Sequence, residues 1–279
     1  MKNTESLVER FNQIKTLPHV AIRLVKMISE DTGSVKDYER VIRHDPALVM
    51  RVFKLVNSAY FALTEKVETL ADAMVVIGQN NLRNMVVLEA LRSLYQGRMA
   101  IAGFSGRALW NHGVATSHCC RMIAEQIFGL PGEDAFLCGL MHDVGLMVAF
   151  QTEPELFDRM VASMGTGMPF VEHETLVMGT THCETGFWLA RAWKLPATVQ
   201  LAIRDHHKKI DDLDPSSMTG IIQLGELIAT RSGFMALPET QDGLSLSLVQ
   251  HLREHIDEYL RIQQELPDEM EKTREIYRS

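Results

Sequence analysis

Apolar residues recur every three or four positions along almost the whole chain, and no stretch alternates apolar with polar residues as a half-buried strand would. That single period predicts an all-α, multi-helical fold. Val20, Leu24, Met27 and Ile28 put one apolar stripe on a helix over 19–30. Asp45 followed by Pro46 pairs an N-cap acid with a proline at the first helical position. The helix it opens carries Leu48, Val49, Val52, Phe53, Leu55 and Val56. A shorter helix over 70–77 ends at Gly78, and Asn80 or Asn81 restarts the chain into a helix over 82–95.

Gly97, Gly103 and Gly106 interrupt the period and place a boundary between an N-terminal helical part, 1–100, and a second one, 101–235. Helices are expected in the second part near 107–128, 133–150, 154–164, 169–178, 182–194, 196–209 and 216–232. An amphipathic extension, 236–279, follows, with Val249, Leu252, Ile256, Tyr259 and Leu266 on one side. Pro267 is expected to end or kink that last helix.

With 46% hydrophobic and 23% charged residues in 279, the chain has material for a real core. Its formal net charge of −8 argues against a large nucleic-acid footprint or a polybasic membrane anchor. Met1 to Arg10 mixes charges too freely for a signal peptide, and no apolar run approaches the ~20 residues of a membrane span. Cys119, Cys120, Cys138 and Cys183 form no Cys-x-x-Cys pair and read as reduced, buried thiols, which points to the cytoplasm.

Chemistry concentrates in the second part, which holds His112, His118, His142, His173, His182, His206 and His207. The pair His142-Asp143 sits within the apolar run from Phe136 to Phe150, expected here as one helix. Gly139, one turn earlier, is expected to leave room for whatever the pair holds. His182 has Gly186 one turn on. His206 and His207 are neighbours, about 100° apart on a helix, so both reach one site only at a frayed turn or around two ions. Imidazole and carboxylate together suit iron, manganese or zinc, and a carboxylate can bridge two such ions. His44-Asp45 repeats the letters, but Asp45 serves better as a cap. His19, His251 and His255 need no special role. His118 and His173 suit a polar face or a supporting position rather than ligation.

The chain resembles the HDOD family along about residues 15–232. The resemblance rests on Leu17-Pro18, Asp45-Pro46-Ala47-Leu48, Asn57-Ser58-Ala59-Tyr60-Phe61, and Ala73 with Ile77-Gly78. It continues through Trp110-Asn111-His112, Gly139 to Gly145, His182 with Gly186, Trp193 with Leu195-Pro196, and Ile203 with His206-His207. It implies a bacterial signalling or regulatory protein, related to HD-domain metal-dependent phosphohydrolases and to HD-GYP cyclic dinucleotide phosphodiesterases. By the HD pattern His112 would be the first ligand, His142 and Asp143 the defining dyad, and Glu226 would stand where aspartate is usual. His182, His206 and His207 match the histidines that the HD-GYP branch uses for a second metal.

The implied cofactor is one divalent ion or two. After His206-His207 the chain reads Lys208-Lys209-Ile210-Asp211-Asp212, not His-His-Glu with Gly-Tyr-Pro, which weighs against cyclic di-GMP hydrolysis. The resemblance therefore implies first a regulatory module with a signalling partner. Its alternative is an active phosphohydrolase, with Asp143 and His142 in the catalytic centre and a phosphate-containing small molecule as ligand. Lys208, Lys209, Arg204 and Arg191 are candidate phosphate contacts, though such charges more commonly form a solvated face. The stripe on the last helix is a candidate homodimer face, although such stripes more often pack on their own domain.

Overall fold

The computed structural model describes residues 2–14, 19–30, 32–57, 63–95, 104–165, 167–237 and 243–277. Among these, every regular element is helical. The first part runs α1 (Lys2–Ile14), α2 (His19–Ser29), α3 (Val35–Ile42), α4 (Pro46–Val56), α5 (Leu70–Ile77) and α6 (Gln79–Leu94). It is followed by α7 (Gly106–Met122), α8 (Glu133–Met141), α9 (Val144–Thr152), α10 (Pro154–Ala162) and α11 (Phe170–Met178). The chain then forms α12 (His182–Ala192), α13 (Ala197–Asp205), α14 (Met218–Arg231), α15 (Leu246–Glu254) and α16 (Ile256–Tyr277).

Many of these helices start where a side-chain oxygen is available for an orphan amide. Asp45 accepts from the Leu48 N–H at the head of α4, as its sequence position before Pro46 predicts. Ser105, Thr181 and Ser217 do the same for α7, α12 and α14, three of the helices that carry site residues.

Helix α7 is the axis of the second part, packed between α8, α14 and α16. Helix α9 crosses α12, and α12 lies beside α13. In the first part α2 packs on α6 and α4 on α5, while α6 reaches α8. Helix α1 packs on α9 and α12, where Thr4 hydrogen-bonds Thr180 and the Trp193 indole donates to Asn12. One apolar cluster runs through both parts, from Leu7 and Phe11 to Leu266 and Met270.

Three expectations change. The helix expected over 133–150 is two helices, broken at His142-Asp143. Helix α7 ends at Met122 and continues as a short π-helical turn, Ile123–Ile127. The last helix is also two, and α16 does not end at Pro267 but continues past it, with Tyr259, Ile262, Leu266 and Met270 buried along it. Tertiary packing there outweighs the lost amide hydrogen bond. Tyr259, part of the candidate homodimer stripe, is thus spent inside the protomer. Contrary to the expectation that no run approaches the length of a membrane span, the stretch Glu133–Thr152 is long and apolar enough in composition to cross a membrane; it is nearly all buried in the core. Leu17-Pro18, Ser58 to Phe61 and most of the 96–106 boundary lie outside the described residues.

Candidate metal centre

The break between α8 and α9 is what makes the dyad usable. His142 caps the end of α8, and Asp143 occupies the N-cap position of α9 without its carboxylate capping that helix. The carboxylate is left to face the histidines. A similar ending serves His206 and His207: α13 stops at Asp205, and His206 is its C-cap residue, so both neighbours stand at the end of the helix. Gln223 on α14 donates to the carbonyls of His206 (2.8 Å) and Lys208 (3.1 Å), satisfying the end of α13.

Close helix crossings bring the ligand-bearing segments together. A Cβ on Gly145 would stand 2.7 Å from the His182 carbonyl carbon and 2.8 Å from the Gly186 nitrogen, so α9 can meet α12 only through glycine. Gly139 corrects its expectation. A Cβ there would meet Cys120 Sγ at 2.9 Å and Ser117 Cα at 3.0 Å, so it admits α7 rather than anything held by the dyad.

All seven candidates fall into two groups of convergent ligand atoms, Asp143 with His182, His206 and His207, and His112 with His142 and Glu226. Asp143 joins them. Its Oδ1 lies 3.4 Å from His182 Nε2 and 3.6 Å from His206 Nε2. Its Oδ2 lies 3.5 Å from His112 Nε2 and 3.3 Å from His142 Nε2. Within each group the paired Nε2 atoms are 3.0 Å (His182–His206) and 3.3 Å (His112–His142) apart. The His207 ring lies beside the former pair, 4.3 Å between centroids from His206 and 5.0 Å from His182.

Four histidines are oriented through their other nitrogen. Nδ1–H of His112 donates to Phe234 O (2.7 Å), that of His142 to Gly139 O (2.7 Å), and that of His206 to Ile203 O (2.8 Å). His182 Nδ1 instead meets a carboxylate, Glu174 Oε2, at 2.6 Å. A carbonyl cannot donate, so Nδ1 carries the hydrogen and Nε2 is the atom turned to the cluster. Lone pairs facing one another at these distances need a proton or a cation between them. Around an ion with ligands at about 2.0–2.1 Å, neighbouring ligand atoms lie roughly 3.0 Å apart at right angles and about 3.4 Å apart at the tetrahedral angle. The donor set fits a divalent ion in each group.

The electrostatics agree. Burial pushes the Asp143 carboxyl up, but His142, His206 and His182 outweigh it and hold the group well below its usual range. Burial lowers His182 and His206, yet Cys183 and Glu174 draw the first well above its ordinary value, and Cys183 and Asp143 draw the second up to about 10. Positive charge is thus favoured between these rings. Burial leaves His112 and His207 shifted down.

Sequence reasoning missed two partners. Glu174, buried on α11, takes the His182 ring and also both carboxylate-to-amide contacts at the His182 N–H (3.1 and 3.2 Å), an anion on the first amide of α12. Eight residues and a change of helix separate the two, so no spacing marks the pair. Cys183, expected as an inert buried thiol, has its sulfur 3.5 Å from His182 Nε2. Burial raises that thiol, but His182 and His206 outweigh it and bring it to about 6. Cys119, Cys120 and Cys138 are pushed up, first of all by burial. His118 and His173 stay outside the cluster, bonded to Thr273 and to Ser163 and Met160 O.

The cluster opens into a pocket of 530 Å³. Of the four cations considered from sequence, only Lys209 lines it, joined by Arg231 from α14. Arg204 and Lys208 are engaged with Asp205, and Arg191 lies over Trp188.

The solved structures similar to this chain share its fold. An HDOD domain protein of unknown function from Geobacter sulfurreducens is 19% identical, with 96% of this chain and 98% of that one covered and a TM-score of 0.69. A protein described as a candidate phosphohydrolase from Shewanella amazonensis SB2B is 22% identical, covering 93% and 97%, at a TM-score of 0.64. A candidate signal transduction protein from Marinobacter aquaeolei VT8 is 19% identical, covering 99% of this chain and 65% of that one, at a TM-score of 0.76. An uncharacterized protein of Treponema pallidum (strain Nichols) is 28% identical over 213 residues, 74% of this chain but only 40% of that protein's length. The HDOD domain model matches residues 14–209, which include every candidate ligand except Glu226. With that match over more than half its length, the chain belongs to the HDOD family.

Proposed function

We propose that this HDOD protein is a cytoplasmic signalling component whose centre holds two divalent ions, iron, manganese or zinc, and hydrolyses a phosphoester. The observation that carries the reading is Asp143, whose two oxygens face two separate, nearly complete ligand groups. A pair of ions so placed supplies the Lewis acidity that activates water and clamps a phosphoryl oxygen. The chain's own part is to aim the ligands and shape the approach. His112, His142, His182 and His206 are fixed through Nδ1, and Asp143, kept ionised, is suited to bridging rather than to proton donation. Lys209 and Arg231 add positive charge where the anionic ester would enter. The candidate phosphohydrolase from Shewanella supports the reaction class by analogy of fold.

A second reading keeps the ions and omits turnover: a metal-holding regulatory module that binds a signalling partner. The Lys208 to Asp212 sequence, in place of a Gly-Tyr-Pro loop, favours it. Elemental analysis of the purified protein, followed by a panel of phosphomonoesters, nucleotides and cyclic dinucleotides, separates the two. Turnover above that of His142→Ala/Asp143→Ala establishes the enzyme. Two ions with equal, background rates leave the regulatory module, and an empty site at neutral pH overturns both.

A further inference from the structure

The lining of the pocket beside the cluster has two kinds of residue. The buried His112, Asp143 and His206 line it with ligand atoms, while Met235, Leu237, Leu244, Val249 and Leu252 line it with apolar side chains. This wall comes from the segment after α14 and from α15, beyond residue 209 where the family match ends. Leu146 and Phe170, from within the matched residues, and Leu227, from α14, continue it. These side chains stop short of the core. Met235 keeps 46% of its surface, and Leu237, Leu244 and Leu252 are only partly buried. Apolar surface held at the edge of a cavity is costly until something apolar covers it.

The charges set the other limit. Among the described residues lining it, Lys209 and Arg231 are the lysine and arginine side chains, and Asp143 and Glu226 the carboxylates. That balance suits one phosphoryl group seated on the cluster, and gives a chain of phosphates little to pair with. A volume of 530 Å³ lies within the range of sites that enclose a drug-sized molecule, so a phosphoryl group leaves space over.

We infer that the pocket takes a phosphomonoester of an apolar alcohol, aryl or alkyl, with the phosphoryl group on the cluster and the organic body against the Met235–Leu252 wall. The inference rests on the metal-centre reading above and adds the substrate class. Hydrolysis of such an ester breaks its P–O bond, moves the phosphoryl group to water, and returns the proton to the departing alcohol.

Phosphonates, which bind without turning over, test this directly. The full chain is loaded with Mn(II), its metal content measured, and methylphosphonate and phenylphosphonate are titrated calorimetrically. Phenylphosphonate is expected to bind at least about tenfold tighter, the scale set by burying one ring. Met235→Ser, at a half-exposed position that leaves the core intact, should cut that ratio severalfold, and Leu244→Ser/Leu252→Ser should bring it near one at unchanged metal content. Equal binding of the two phosphonates by metal-loaded protein overturns the inference, as does no binding of either. A protein that takes up no metal yet still prefers phenylphosphonate overturns the metal-centre reading and keeps the apolar wall. Neither metal nor preference overturns both.

Discussion

The two ligand groups on either side of Asp143 are built differently. In the group of His112, His142 and Glu226, both rings are held only by backbone carbonyls, and the third candidate is a half-buried glutamate on α14. In the group of His182, His206 and His207, one ring is held by a buried carboxylate that also takes its backbone amide. A carboxylate behind a histidine raises its basicity as a ligand, which a neutral carbonyl does less well. The difference teaches that a shared carboxylate does not make the two positions equal. On the proposed reading, the ion near His182 is the tightly held one, and the ion near Glu226 exchanges.

The largest effect breaks the comparison at its hinge. Asp143→Ala should take metal content from two equivalents to near none and abolish hydrolysis, because both groups lose their common anion while the Nε2 lone pairs still face one another. Retention of one full equivalent would show that the groups do not share Asp143. Chelation of the wild type should do the same reversibly. Restoring an ion at about 100 times its Kd would return about 2.7 kcal/mol of stability, read as a rise in Tm.

Single histidine changes come next. His182→Ala is expected to lose one equivalent outright, with its hydrolysis reduced to background. His112→Ala should lose the other, and more completely at low metal concentration, since its group starts weaker. Elemental analysis after dialysis against graded metal concentrations distinguishes the two. Equal losses at every concentration would contradict the asymmetry.

Much of this arrangement is legible in the sequence, and what is not has physical causes. Histidines in apolar surroundings stand out because burying them without partners is costly, which marks His142 and His182, with their glycines, and His206 in the sequence, whereas His112 is marked by the resemblance to the HD pattern. The helical period located most elements for the same reason that it buries them. The break at His142-Asp143 was invisible because the run from Phe136 to Phe150 is apolar on all sides, which leaves the period nothing to lose at a kink. Gly139 was assigned to the wrong neighbour, since only the approach of α7 decides what a Cβ would strike. Glu174 and Cys183 depend on how α11 meets α12, a tertiary fact with no local signature.

Glu174→Gln sharpens the comparison without touching a ligand atom. Glutamine can still accept from His182 Nδ1, so the ring keeps its orientation and loses only the charge behind it. Metal affinity in that group is expected to fall about 10–100-fold, the usual scale for such partners, with the other group unchanged. Competition with a chromophoric chelator measures both affinities in one titration. A fall in both, or in neither, would mean that the carboxylate does not distinguish the groups.

The smallest expected effect belongs to Glu226→Asp, which installs the residue that the HD pattern has at this place. Glu226 lies on α14, the helix that Gly225 lets close onto Cys120 of α7, so its backbone distance from His112 is fixed by packing rather than adjustable. A side chain one methylene shorter then reaches the ion less well, whatever its suitability elsewhere. His112, His142 and Asp143 would remain, so affinity in this group should weaken by less than about tenfold, below the loss expected for Glu174→Gln in the other. The same chelator titration reads it. If aspartate instead tightened the site, α14 would have to approach more closely than Gly225 against Cys120 Sγ allows, and the exchange of this ion would owe more to its ligand's length than to the carbonyl-held rings.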